Sequence, residues 1–202
     1  MPQLTTSLRQ SLRQKRKKIL LSDRAQFNHS INQSLLKAGF HLRSSIIASY
    51  LANDGEPALD LFIKTCSTTQ CQHYLPVLDR QRLKFSPYSW GDELENNKFN
   101  IPEPSAKSYF PATLFTTIII PLVGFDEHGH RLGMGGGYYD RTLSFMLNPL
   151  CRKKPLLIGV AYSSQMVSNI KRQAWDVPLD AIITELGLTC FTTKAKQRLF
   201  TS

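Results

Sequence analysis

The sequence lacks any apolar run near the ~20 residues that cross a bilayer. Its longest, "TTIIIPLVGF" (116–125), has the length of a buried strand. No apolar core follows the basic start "MPQLTTSLRQSLRQKRKKILLSDR", so no secretory signal is expected there. Cysteines are few, and Cys66, Cys71, Cys151 and Cys190 form no Cys-x-x-Cys pair. At this size and without an export signal a disulfide framework is not expected, and the spacing of Cys66, Cys71 and His73 matches no zinc pattern. They read as reduced, partly buried thiols. The P-loop string Gly-x-x-x-x-Gly-Lys-Ser/Thr is missing. A dinucleotide fingerprint begun at Gly133 and Gly135 meets Tyr138 where its third glycine belongs. P-loop kinases and dinucleotide-dependent dehydrogenases are therefore unsupported, and no internal repeat or low-complexity tract exists.

Acidic residues are also scarce, 15 against 25 lysines and arginines, for a net charge of +10. A surplus of this size suits either nucleic acid or a polyanionic small molecule. No RNA- or DNA-reading motif accompanies it. A run such as "KRKK" (15–18) ordinarily forms a solvated helix face.

The 202 residues, 42% of them hydrophobic, suffice for one domain with a full core. Leu4, Leu8, Leu12, Ile19 and Leu20 recur at helical spacing with Arg9, Arg13 and Lys15 to Lys18 among them, which reads as an amphipathic basic helix over 4–20. Ser22 is expected to cap a second helix that runs to Lys37 and stops at Gly39. "SSIIASYL" (44–51), "QHYLPVL" (72–78), "TTIIIPLVGF", "PLLIGVAY" (155–162) and "LDAIITE" (179–185) read as strands, and "RLKFSPY" as an edge strand because of its proline. "ALDLFIKTC" is helical. Residues 86–112, rich in Pro, Asn, Ser and Glu, read as a long loop with room for a short strand pair. Apolar strands alternating with helices define an α/β fold: one three-layer domain over 1–202, a central largely parallel or mixed sheet flanked by helices, with the basic helices of 1–40 packed on it.

"RLGMGGGYYDR" (131–141) places four glycines in five positions just before a helical stretch read as 136–147. Glycine admits positive φ and lets backbone N–H groups close on an anion. A helix start adds unpaired donors and a positive dipole end. With Arg131 and Arg141 alongside, the segment reads as a phosphate cradle leading from the central strand. Asp140 beside it suits Mg²⁺, and Asp176 in "AWDVPLD" offers a second oxygen ligand.

"PLVGFDEHGHRLGMGGGYYDRTL" (121–143) resembles the signature of the 5-formyltetrahydrofolate cyclo-ligase family. "RQSLR" (9–13), "YLANDGEPALDLFI" (50–63), "YLPVL", "FNIPEP" (99–104) and "GVAYSSQMV…WDVPLDAIITE" (159–185) are similar to further family elements in the same order, so the likeness spans nearly the whole chain. The resemblance implies an enzyme that uses ATP and Mg²⁺ to convert 5-formyltetrahydrofolate to 5,10-methenyltetrahydrofolate, releasing ADP and phosphate. It assigns ATP contacts to Arg9, Arg13, Arg131, Leu132, Gly133, Met134, Gly135, Gly136, Gly137, Tyr138 and Tyr139, with Arg13, Arg131 and Tyr138 at the reacting groups. Leu51, Glu56, Phe99 and Tyr138 would contact the folate, and Asp140 and Asp176 would bind Mg²⁺. It further implies a cytoplasmic monomer with a small-molecule substrate and no nucleic-acid or membrane partner. A sugar-phosphate isomerase or CoA-transferase-like enzyme on a related layout, and a basic nucleic-acid-binding protein, are the alternatives left open.

Overall fold

A computed structural model describes residues 2–43, 46–69, 71–105 and 108–200. Helices α1 (Pro2–Lys17), α2 (Leu21–Lys37) and α3 (Phe40–Arg43) precede strand β1 (Ile46–Ala48), helix α4 (Asp60–Thr68) and strands β2 (Gln72–Asp79) and β3 (Arg82–Pro87). A short pair follows, β4 (Leu94–Asn96) with β5 (Pro102–Pro104), then β6 (Thr117–Pro121). Next come the hairpin β7 (Gly124–Phe125) and β8 (Arg131–Leu132), helix α5 (Tyr138–Leu143), β9 (Leu156–Val160), β10 (Ala181–Thr184), β11 (Gly187–Cys190) and α6 (Thr193–Phe200).

Seven strands form one sheet in the order β11-β10-β9-β6-β1-β2-β3. The five inner strands run parallel, and antiparallel β3 and β11 close the edges. The edge position of β3 suits Pro87, which has no N–H for a further ladder. Along the inner strands side chains alternate between two cores. Ile47, Leu75, Ile119, Ile158 and Ile183 pack with α2, α4 and α6 residues such as Leu35, Phe62 and Leu199. Ala48, Ile118, Ile120, Leu157 and Ile182 pack with Leu143 of α5 and with Phe85 and Phe115. Both faces are covered, which is why these strands read as continuous apolar runs. His73 lies inside, hydrogen-bonded to Ser49 Oγ at 2.7 Å and Tyr88 O at 3.2 Å, and all four cysteines are free.

Two expectations change. The residue before α2 is Leu20, which makes no side-chain cap, while Ser22 lies inside the helix with its hydroxyl on Asp23. Arg24 Nη2 instead caps the preceding helix, donating to Arg16 O at 3.1 Å and Lys17 O at 3.3 Å, and α2 begins at Leu21, one residue before Ser22, which therefore falls within it. The central strand also does not run straight into the glycine loop. The β7–β8 hairpin intervenes, because Asp126, fully buried, accepts the N–H groups of His128 at 3.0 Å and His130 at 2.9 Å and folds the chain back. Gly39 does end the second helix region, with a positive φ of 69°.

Candidate active site

Chain order along the sheet reverses between β1 and β6: from β1 it proceeds outward to β2 and β3, and from β6 in the opposite direction to β9 and β10. The loops leaving the carboxyl ends of these two neighbours must diverge, and in open α/β sheets the crevice so opened is where ligands sit. A cavity of about 1520 Å³ occupies this place, with Tyr50 and Leu51 after β1 and Leu122 after β6 in its walls. One drug-sized ligand typically fills ~300–1,000 Å³, so this volume admits two. Every residue expected from the sequence at the site, from Arg9 and Arg13 through Leu51, Glu56 and Phe99 to Asp140 and Asp176, lines this one cavity.

Helix α1 forms one wall. Arg9, Arg13 and Arg16 share a face at helical spacing, beside the buried Leu12 that seats the helix on Val123, Leu132 and Ile170. Arg9 Nε donates to Gly133 O at 2.9 Å and thereby holds the glycine loop. Arg13 Nε donates to Asp54 Oδ2 at 2.7 Å. Arg16 is not part of a solvated face: it is 0% exposed. Its Nη2 donates to Asp54 O at 2.8 Å and Asp54 Oδ2 at 3.0 Å, and its Nη1 to Leu122 O at 3.2 Å. Arg16 thus ties together the two loops that diverge at the switch point. Asp54, held also by Lys17, stays well below the ordinary carboxylate range, first through its bond to Arg13. Neither Arg16 nor Asp54 stood out in the sequence. The i, i+4, i+7 spacing of the three arginines with Leu12 between them was the available signal.

The turn after β1 carries Glu56. Burial pushes its carboxyl up to about 7, against the opposing pull of Arg16 and the Asn53 N–H, which donates to Glu56 Oε2 at 3.1 Å. The Tyr139 hydroxyl is pushed above the usual tyrosine range by burial first and Glu56 second. Phe99 meets the Tyr138 ring edge-on, centroids 6.0 Å apart. Phe99 comes from the segment between β4 and β5, so the expected strand pair exists and brings it to the cavity.

The glycine loop joins β8 to α5. Gly135 (φ 101°) and Gly137 (φ 64°) hold left-handed backbone that favours glycine. A Cβ on Gly137 would fall 2.7 Å from Arg141 Nη1. Arg141 ties the loop to the β2–β3 turn, donating to Gly136 O and to Gln81 O. The helix that follows spans six residues before a 3₁₀ turn at Ser144–Leu147, shorter than the 136–147 expected. Arg131, with 5% of its side chain exposed, pairs with Asp140 at 2.5 Å. Its buried Nε has no hydrogen-bond partner among the described residues. Asp140 Oδ1 also accepts the Val177 N–H at 3.2 Å, which draws the turn bearing Asp176 alongside. Asp176 Oδ2 accepts the Gln173 N–H at 2.8 Å. Among the described residues no group of three or more His, Cys, Asp or Glu could cage a metal.

Fold and cavity define the class: an open α/β protein enclosing a ligand-sized basin at the divergence of its central strands. The chain belongs to the 5-formyltetrahydrofolate cyclo-ligase family, which matches residues 3–185. It is 34% identical over 189 residues to the 5-formyltetrahydrofolate cyclo-ligase of Haemophilus influenzae, covering 89% of this chain and 99% of that one. Over 143 residues it is 36% identical to the Escherichia coli K12 protein of the same name, covering 68% and 76%. The solution structure of Aquifex aeolicus 5,10-methenyltetrahydrofolate synthetase superposes with a TM-score of 0.78 at 29% identity, covering 93% of each chain. The Mycoplasma pneumoniae 5,10-methenyltetrahydrofolate synthetase gives 0.70 at 28%, covering 90% and 98%.

Proposed function

We propose that this cavity closes 5-formyltetrahydrofolate to 5,10-methenyltetrahydrofolate at the expense of ATP. The observation that supports it most is the meeting of two unlike halves in one basin. One half carries the glycine loop, Arg9, Arg13 and the unpartnered Arg131 Nε; the other carries Leu51, Glu56, Phe99 and Tyr138. A buried donor without a partner costs ~1–3 kcal/mol, and a phosphate oxygen at the glycine loop would recover it.

In this reading the formyl oxygen attacks the γ-phosphorus and ADP leaves. N10 then attacks the activated carbon, loses its proton, and the oxygen departs with the phosphate as the ring closes. The protein positions the two substrates and stabilises charge; Arg13, Arg131 and Tyr138 lie nearest the reacting groups. Leu132, Met134 and Tyr139 complete the nucleotide side. Glu56, which holds its proton readily at neutral pH, presents a carboxyl to the polar edge of the pterin.

Mg²⁺ typically takes one or two carboxylates plus phosphate oxygens and water. Asp140 and Asp176, drawn together through Val177, fit that modest donor set, and the ion would neutralise phosphate charge there. The same reading takes residues 1–202 as one domain, since α1 supplies a wall of the cavity, and the protein as a cytoplasmic monomer. Among the described residues no helix is long and apolar enough to cross a membrane.

The test is to mix purified protein with 5-formyltetrahydrofolate and Mg-ATP. Methenyl absorbance in the near ultraviolet should rise with one phosphate released per product. Folded protein that gives neither signal would overturn the reading.

A further inference from the structure

Trp175 is 66% exposed, yet it stands in the wall of the cavity. An open indole is a large apolar surface left in water, and its setting is rigid. The Gln173 N–H donates to Asp176 Oδ2 at 2.8 Å, the Asp176 N–H to Gln173 O at 3.1 Å, and Arg172 Nε to Asp176 O at 3.1 Å. Immediately beyond, the N–H groups of Val177 and Leu179 are fixed on Asp140 and on Gly129 O. The indole therefore sits one residue from Asp176, on a turn pinned to the carboxylate that follows the glycine loop.

The residues lining the cavity beyond that loop come from different segments of the chain. One set, Leu51, Glu56, Phe99 and Tyr138, is taken by the folate in the function proposed above, on which this inference rests. Another comprises Thr5, Leu8 and Arg9 of α1 and Lys171, Gln173 and Trp175 of the turn. With the folate on Leu51, Glu56, Phe99 and Tyr138, a triphosphate anchored at Gly133–Gly137 would place its nucleoside among these remaining lining residues. We infer that Trp175 is the stacking platform for the nucleotide's purine base, a specificity-determining contact separate from the phosphate cradle. Every base offers a π-face, and aromatic platforms typically contribute strongly to base binding. The neighbouring Gln173 side chain is amphiprotic and suits the polar edge of a purine.

The chain has two tryptophans, and Trp90 does not line the cavity. In a Trp90→Phe background, emission reports Trp175 alone. Mg-ADP should quench or shift it saturably, whereas magnesium tripolyphosphate, which fills the cradle without a base, should leave it nearly unchanged. Trp175→Ala should raise the KM for ATP by roughly 5- to 100-fold while kcat and the folate KM stay within about 3-fold, and Trp175→Phe should restore most of the loss. A parent-like ATP KM in Trp175→Ala, or equal quenching by tripolyphosphate, overturns the inference while leaving the cyclo-ligase reading intact. A parent protein that neither turns over nor changes emission with Mg-ADP overturns both.

Discussion

Arg131 and Asp140 stand at the two ends of the glycine loop and close it with a 2.5 Å ion pair. The pair has two consequences. It fixes the carboxylate whose other contact, the Val177 N–H, brings the Asp176 turn alongside, and it leaves Arg131 Nε as a buried donor without a partner among the described residues. Arg131→Ala should lower kcat/KM for ATP by roughly 100-fold, since charge-assisted contacts at phosphoryl groups are worth ~2–4 kcal/mol. Arg131→Lys should recover little, because a single ammonium cannot hold the carboxylate and also supply the Nε position. Steady-state kinetics over a range of Mg-ATP concentrations checks this; parent-like constants for Arg131→Ala would remove Arg131 from the site, and parent-like constants for Arg131→Lys would show that charge alone suffices there.

Arg16 governs stability. It is fully buried and donates to backbone oxygens on both sides of the switch point as well as to Asp54. Arg16→Met strands those acceptors and should cost about 3 kcal/mol in urea unfolding, and Arg16→Lys should restore only part of it. A loss below about 1 kcal/mol would show that α1 docks without it.

Glu56 gives a pH signature. Its folded carboxyl lies at about 7, above the 4.5 of an unperturbed glutamate. Between those values the folded protein keeps a proton that the unfolded chain releases, so Glu56 lowers stability as pH rises from 4.5 to 7, by about 3 kcal/mol in all. His73 acts oppositely: burial lowers it to about 4 from 6.5, so its contribution falls away as pH drops through that window. Asp54, held down by Arg13, loses its contribution only in strong acid. The difference between Glu56→Gln and parent isolates Glu56. The variant should gain relative stability from pH 4.5 to 7 and hold the gain above it. Parallel curves would mean that Glu56 titrates normally.

Phe99 separates the two halves of the cavity by kinetics. It meets Tyr138 edge-on at 6.0 Å, on the side that the proposed function gives to the folate. Phe99→Ala should raise the KM for 5-formyltetrahydrofolate about 10-fold through lost aromatic contact, with the KM for ATP unchanged. A shift in the ATP constant instead would place Phe99 on the nucleotide.

Much of this was legible before the fold was known. The inner strands bury both faces, so Ile118 to Ile120 and Leu156 to Val160 announce themselves by unbroken apolarity, and the glycines of the 133–137 loop by their density. What escaped depends on distant partners. Asp126 looks like any turn aspartate until Ile170 donates to its Oδ2 at 2.9 Å, and the hairpin it stabilises lies where a direct strand-to-loop passage was expected. Arg16 looks solvated in "KRKK" because its three acceptors come from segments tens of residues away. Trp175 drew no notice in the sequence, since only the assembled cavity brings it together with α1 and the glycine loop.

The most direct measurement follows an oxygen atom. With a heavy isotope in the formyl group of 5-formyltetrahydrofolate, a single turnover with unlabelled Mg-ATP should deliver that isotope to the released phosphate, one atom per methenyl product. Unlabelled phosphate, with the heavy oxygen in water instead, would mean that the formyl oxygen is never phosphorylated and that the two halves of the cavity do not act on one another.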